Sequence, residues 1–130
     1  MKRLAFVIAL SLLAHADLPK PDARGEYSGR TLHTHWKVVD PDPAGLNGRL
    51  SRAFPQDYSD IRQEWPEPKV SQWPVVATFL PGSRLTAKTG NLGVIRIQDP
   101  SGKTWLMVER PQGTGFCFVR AHQSYIRPIP

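Results

Sequence analysis

Proline and glycine set the terms on which this chain can fold. The 130-residue sequence has 13 Pro and 10 Gly, all of them after residue 16. An interior proline costs a helix about 3 kcal/mol and a glycine about 1, so punctuation at this density excludes long helices. Their placement has no period or repeat, which sets the chain apart from fibrous sequences of similar composition. What remains is short strands between tight turns, and the length suits one domain rather than several. One cysteine, Cys117, has no intrachain partner. The fold must therefore be held by its apolar core, and thiolate metal clusters are excluded.

The first 16 residues read as an address rather than as structure. Lys2 and Arg3 precede an apolar run over 4–13 broken only by Ser11, and Ala14-His15-Ala16 supplies a small-x-small cleavage pattern. A positive end, a short apolar stretch and small residues make a secretory signal. The run is about half the 20 residues that a spanning helix needs, so cleavage after Ala16 and no membrane span in the mature chain are expected. Twelve of these 16 residues are apolar, so the 40% hydrophobic content is inflated by them. Removing Lys2 and Arg3 lowers the formal charge from +6 to +4. The expected location is secreted or periplasmic.

Residues 17–35 have Pro19, Pro21, Gly25 and Gly29 with few apolar residues, and are expected to form an extended leader or linker. From Trp36 onward short apolar runs recur at 36–40, 46–50, 74–79, 84–88, 94–98, 105–109, 116–120 and 125–129. Turn residues separate them: Asp40-Pro41-Asp42-Pro43, Pro81-Gly82, Asp99-Pro100-Ser101-Gly102 and Pro111-Gln112-Gly113. Gly90-Asn91-Leu92-Gly93 reads as a hairpin turn, lacking the Lys and the following helix of a phosphate loop. Strands of even length between tight turns suggest a small barrel or sandwich. The exception is 49–73, where Asp57 to Trp65 is expected to make a short helical turn stopped by Pro66-Glu67-Pro68. Connections this long are functional or disordered, and Phe54, Tyr58 and Trp65 argue for the former.

Four motifs in order carry a resemblance. Leu46-Asn47-Gly48-Arg49 is followed by Trp73-Pro74-Val75-Val76-Ala77-Thr78-Phe79-Leu80-Pro81-Gly82-Ser83-Arg84-Leu85-Thr86, by Lys103-Thr104-Trp105-Leu106-Met107-Val108, and by Gly115-Phe116-Cys117-Phe118-Val119-Arg120-Ala121 with Ser124-Tyr125-Ile126. The series resembles the bacterial SH3-like (SH3b) domain across about 36–129. Trp36 to Asp40 and the C-terminal Tyr125-Ile126-Arg127-Pro128-Ile129 are similar to secreted SH3-like proteins of cyanobacterial type. The resemblance implies an all-β fold, a small barrel of five to seven short strands over 36–130 with one long loop. It also implies a non-catalytic, monomeric binding domain without cofactor, whose partner is peptidoglycan peptide or another exported protein. An envelope-assembly role without a small ligand is the alternative. Gly48 stands where the family has an apolar or β-branched residue, and 49–72 is longer than the usual loop.

Such barrels receive extended peptides on loop aromatics. Tyr58, Trp65 and Trp73 lie in or beside the long loop and are the expected ligand-binding residues. Trp105, Val108, Val76, Phe79, Leu85, Ile95, Phe118 and Ile126 are the expected core. Catalytic readings are weaker. Cys117 and His122 are a nucleophile and a base by type, but no elbow motif exposes the thiol. His33 and His35, at i and i+2, lack a marked third metal ligand. The positive charge alone would suit nucleic acid, but export and basic residues dispersed among acids argue against that partner.

Overall fold

The computed structural model describes residues 18–113 and 115–130. The expected signal, 1–16, lies outside the described residues. The fold is all-β. Among the described residues ten short strands run in the order β1 (His35–Val38), β2 (Leu46–Arg49), β3 (Val75–Phe79), β4 (Arg84–Thr86), β5 (Thr89–Gly90), β6 (Gly93–Val94), β7 (Arg96–Gln98), β8 (Thr104–Glu109), β9 (Phe116–Arg120) and β10 (Ile126–Pro128). Each expected run holds a strand, with 94–98 split between β6 and β7 at Ile95. The Asn91-Leu92 turn joins β5 to β6 as expected.

Pairing is antiparallel throughout. A three-stranded sheet has the order β10-β1-β4, and a five-stranded sheet the order β3-β2-β9-β8-β7. They are stitched where Ala87, just past β4, bridges Val108 of β8. Among the described residues the ladders thus form separate sheets joined at this bridge, rather than the one continuous closed ladder expected of a barrel. No helix among the described residues is long and apolar enough to cross a membrane.

The central hairpin β8–β9 is buried on both faces. Side chains alternate across a strand, so Leu106, Val108, Cys117 and Val119 enter one core cluster and Trp105, Met107, Phe116 and Phe118 enter another. The first face is covered by the three-stranded sheet through Trp36, Val38, Leu85 and Ile126. The second is covered by the long connection between β2 and β3, through Phe54, Val70 and Trp73. Of the expected core residues, Trp105, Val108, Phe79, Leu85, Phe118 and Ile126 are buried, while Val76 and Ile95 are half-buried against the two clusters.

Gly48 has a packing reason. A Cβ there would stand 2.5 Å from Cys117 Sγ and 3.1 Å from Phe79 Cε2, so the close approach of β2 to β9 requires glycine. Cys117 is fully buried, and burial pushes its thiol up to about 12. It fills the space that a side chain at 48 would take. Gly48→Ala is expected to destabilise the fold by about 1–3 kcal/mol, and Cys117→Ala in the same chain to restore part of that loss, as read by urea unfolding of the two singles and the double.

The structure corrects the reading of 17–35 as a leader apart from the core. Glu26 and Tyr27 are buried, Tyr27 N donates to Ala121 O at 2.8 Å, and Glu26 bridges His122. The turn that delivers them is built by Asp22, whose Oδ1 accepts from Arg24 N and Glu26 N. Gly25 completes it at φ 85°, where a Cβ would stand 2.5 Å from the His122 ring. Glu26 Oε1 accepts from Thr104 N at 2.7 Å and from Arg120 Nη1 at 2.7 Å, while Oε2 accepts from Arg120 Nη2 at 2.9 Å. Burial would raise this carboxyl. The hydrogen bonds from Arg120 and Thr104, with the charge of Arg120, outweigh burial and hold it below its ordinary value.

Candidate functional site

The long connection starts at Leu50, whose N–H donates to Pro74 O at 3.0 Å and so pins the two ends of the loop together. Its polar residues fold it locally. Ser51 Oγ accepts from Ala53 N, Asp57 Oδ1 from Ser59 N and Oγ, and Asp60 Oδ1 from Arg62 N. Asp and Ser side chains that bond the backbone two residues on favour turns over helix. This corrects the helical turn expected over 57–65. The loop's one short helix is a 3-10 turn at Val70–Gln72, placed by the fully buried Val70.

Aromatic rings clasp the loop to the sheet. Phe54 is the hub, with ring centroids 4.7 Å from Trp65, 5.9 Å from Trp73, 5.5 Å from Phe116 and 5.4 Å from Phe118. Tyr58 meets Phe116 edge-on at 5.1 Å. The expected ligand-binding residues separate here. Trp73 is only 7% exposed, faces Phe118 at 5.8 Å, and its carbonyl accepts from Arg49 Nη1 at 2.9 Å. Trp73 therefore belongs to the core, because residues 70–73 lead directly into β3, the neighbour of β2. Tyr58 is half-buried and Trp65 is 38% exposed, and the two line one groove.

The facing wall of that groove is the β5–β6 hairpin and the start of β7. Its prominent side chains are Leu92, which is 70% exposed, with Ile95 and Arg96. The groove has a volume of about 870 Å³, and Asp57 and Arg30 are among the residues that line it. Past the hairpin tip it continues along Thr31, Leu32 and His33. The hairpin is held to the body by Gly93, whose Cβ position lies 2.4 Å from Thr31 O, and by Val94 N donating to Thr31 O at 2.8 Å. Backbone contacts thus fix one wall, and edge-on and tilted ring contacts the other.

Of the expected ligand-binding residues, Tyr58 and Trp65 share this groove, whose opposite wall carried no such expectation. Arg96 was one basic residue among many, yet its position between Ile95 and Ile97 marks an arginine inside an apolar run. Its Nη1 donates to Ser28 O, and its Nε is buried without an acceptor. Unpaired buried donors cost about 1–3 kcal/mol each. Arg30 carried no signal beyond its charge.

The other candidates resolve differently. Cys117 sits in the interior between β2 and the first core cluster. His122 Nδ1 accepts from Ser124 N at 3.0 Å, so Nε2 carries the proton and donates to Arg24 O at 2.8 Å. That ring therefore clamps the N-terminal turn. Among the described residues no three His, Cys, Asp or Glu side chains come together at a metal distance. His33 precedes β1 and is half-buried, while His35 is exposed. Comparison with family models, with curated proteins and with solved structures gives no match.

Proposed function

We propose that the protein is an exported, monomeric, non-catalytic binding domain of bacterial SH3-like type, which receives an extended peptide of the cell wall or of another envelope protein. The observation that carries the reading is the groove in which Tyr58 and the exposed Trp65 face the β5–β6 hairpin. The groove combines the rings of Tyr58 and Trp65 and the apolar Leu92 and Ile95 with polar and charged side chains. A chain laid along it would meet rings at fixed positions, the arrangement by which small β domains select extended peptides. Aromatic side chains with a polar tip bring large contact area at low entropic cost. The order of sequence motifs from 46 to 126 supports the same class.

Trp65→Ala tests the assignment. Truncating an exposed aromatic anchor costs most at a binding centre, so retention on purified peptidoglycan sacculi is expected to fall about tenfold or more. Thermal unfolding is expected to move little beyond the loss of the Phe54 contact. Wild-type protein that fails to bind sacculi, or Trp65→Ala protein retained as well as wild type, would remove the wall-peptide reading.

A further inference from the structure

Around the hairpin tip the fold gathers two guanidinium groups without an acid to neutralise them. Arg30 is exposed and lines three adjoining spaces: the groove over Tyr58 and Trp65, its continuation past His33, and a small pocket of about 80 Å³ beside Pro19 and Lys20. Arg96 lines the groove and the pocket and is close enough to Arg30 that burial and then Arg30's charge oppose its ionisation. It is held from one side only, by the Ser28 carbonyl, and its Nε–H is buried and unmatched. Among the described residues neither arginine makes an ion pair. Asp57 is the one acid lining the groove, and its Oδ1 accepts from Ser59.

Two like charges held together, one of them withdrawn from water, repel until an anion sits between them. Guanidinium donors in a fixed fork match the two oxygens of a carboxylate. Beside the arginines the groove presents Tyr58, Trp65, Leu92 and Ile95 among small polar and glycine residues, so apolar side chains of a peptide find contacts there that a phosphate polymer would not use. We infer that the groove takes an acidic peptide, with a ligand carboxylate seated between Arg30 and Arg96 and the adjoining apolar part of the chain against Tyr58, Trp65 and Leu92. This inference deepens the peptide-binding reading above and rests on it.

The test uses the purified protein and sacculi stripped of phosphate polymers, in native form and with their peptide carboxylates converted to amides. Arg30→Gln is the main variant, since Arg30 is exposed and carries no structural ion pair. Arg96→Gln is the second, with its fold checked by unfolding because Arg96 also holds Ser28. The other three tryptophans are at most 7% exposed, so Trp65 emission reports occupancy of the groove. The expected result is a loss of about tenfold or more in affinity on amidated sacculi, and a similar loss for Arg30→Gln on native sacculi but none on amidated ones. Retention that depends on Trp65 yet is equal on native and amidated sacculi would overturn the carboxylate site and leave the peptide reading standing. Binding that requires the unstripped wall would assign the arginines to phosphate and overturn it as well. No retention on any wall preparation would remove both readings together.

Discussion

Glu26→Ala is expected to cost the fold about 3–5 kcal/mol, because it leaves the half-buried Arg120 guanidinium without its carboxylate. Three hydrogen bonds depend on this one side chain. Arg120 loses both of its bonds to the carboxylate, and Thr104 N loses its acceptor. Arg120 retains only the Thr104 carbonyl at 2.9 Å and its approach to the rings of Trp105 and Tyr125. The effect is not the worth of the pair, since replacing both members by apolar side chains of similar volume is often neutral. Glu26→Leu with Arg120→Met is therefore expected to recover much of the loss, and urea unfolding of the cycle measures the coupling.

The same carboxylate sets an acid limit. Its folded value lies below the ordinary 4.5, so its stabilisation is fully present above about pH 4.5 and is lost as pH falls through the folded value. Asp99 acts in the same direction. Burial raises its carboxyl, but bonds from Ser101, from the Trp105 indole and from Lys103 N outweigh burial and hold it below the ordinary 3.8. At the alkaline end the sign reverses. The Cys117 thiol ionises at about 9.0 in the unfolded chain and at about 12 in the fold. Stability is thus expected to decline from pH 9 upward, and Cys117→Ala to flatten that limb.

Phe54→Ala carries the second large effect, about 3–5 kcal/mol. The ring is 7% exposed and touches four other aromatic rings across the loop and the sheet. Its removal leaves a cavity between the second face of β8–β9 and its cover. If the long connection were an ornament on an independent barrel, the variant would unfold at nearly the wild-type urea midpoint. As a structural layer, it is expected to lower the midpoint and to raise acrylamide quenching of tryptophan fluorescence, because Trp65 and Trp73 both lose a wall. Affinity for sacculi is expected to fall with it, since Trp65 is oriented by Phe54.

The strands were legible because apolar runs and turn residues alternate so regularly. Asp99-Pro100-Ser101-Gly102 announced its turn, and the buried Asp99 carboxylate binds Ser101 and Lys103 as such a turn requires. Burial on both faces was written in Phe116-Cys117-Phe118-Val119, which never alternates with polar residues, as one-sided strands do. The layer that covers the second face was not, because its hydrophobic residues are spaced irregularly between Asx turns. The docking of Glu26 was hidden for a related reason. A single acid in a Gly- and Pro-rich stretch has no local pattern, and its partner is 94 residues away in sequence. In the site, Tyr58 and Trp65 stood out as aromatics in a polar loop, whereas the Arg30 and Arg96 pair exists only once the hairpin folds back over residues 28–31.

Strand β1 lies between β4 and β10, and Glu26 waits for Arg120, so the first elements of the chain are finished by the last. Contacts of such sequence separation must meet the entropy of closing a long loop before they return any stability. Without residues 109–130, β1 would keep one neighbour, Glu26 would lack Arg120, and β8 would be bare on the β9 side. The fold gains nearly all its closing interactions within the final stretch from Phe116 to Pro128. The β10-β1-β4 sheet and the Glu26–Arg120 pair thus close only once residues 116–128 are in place.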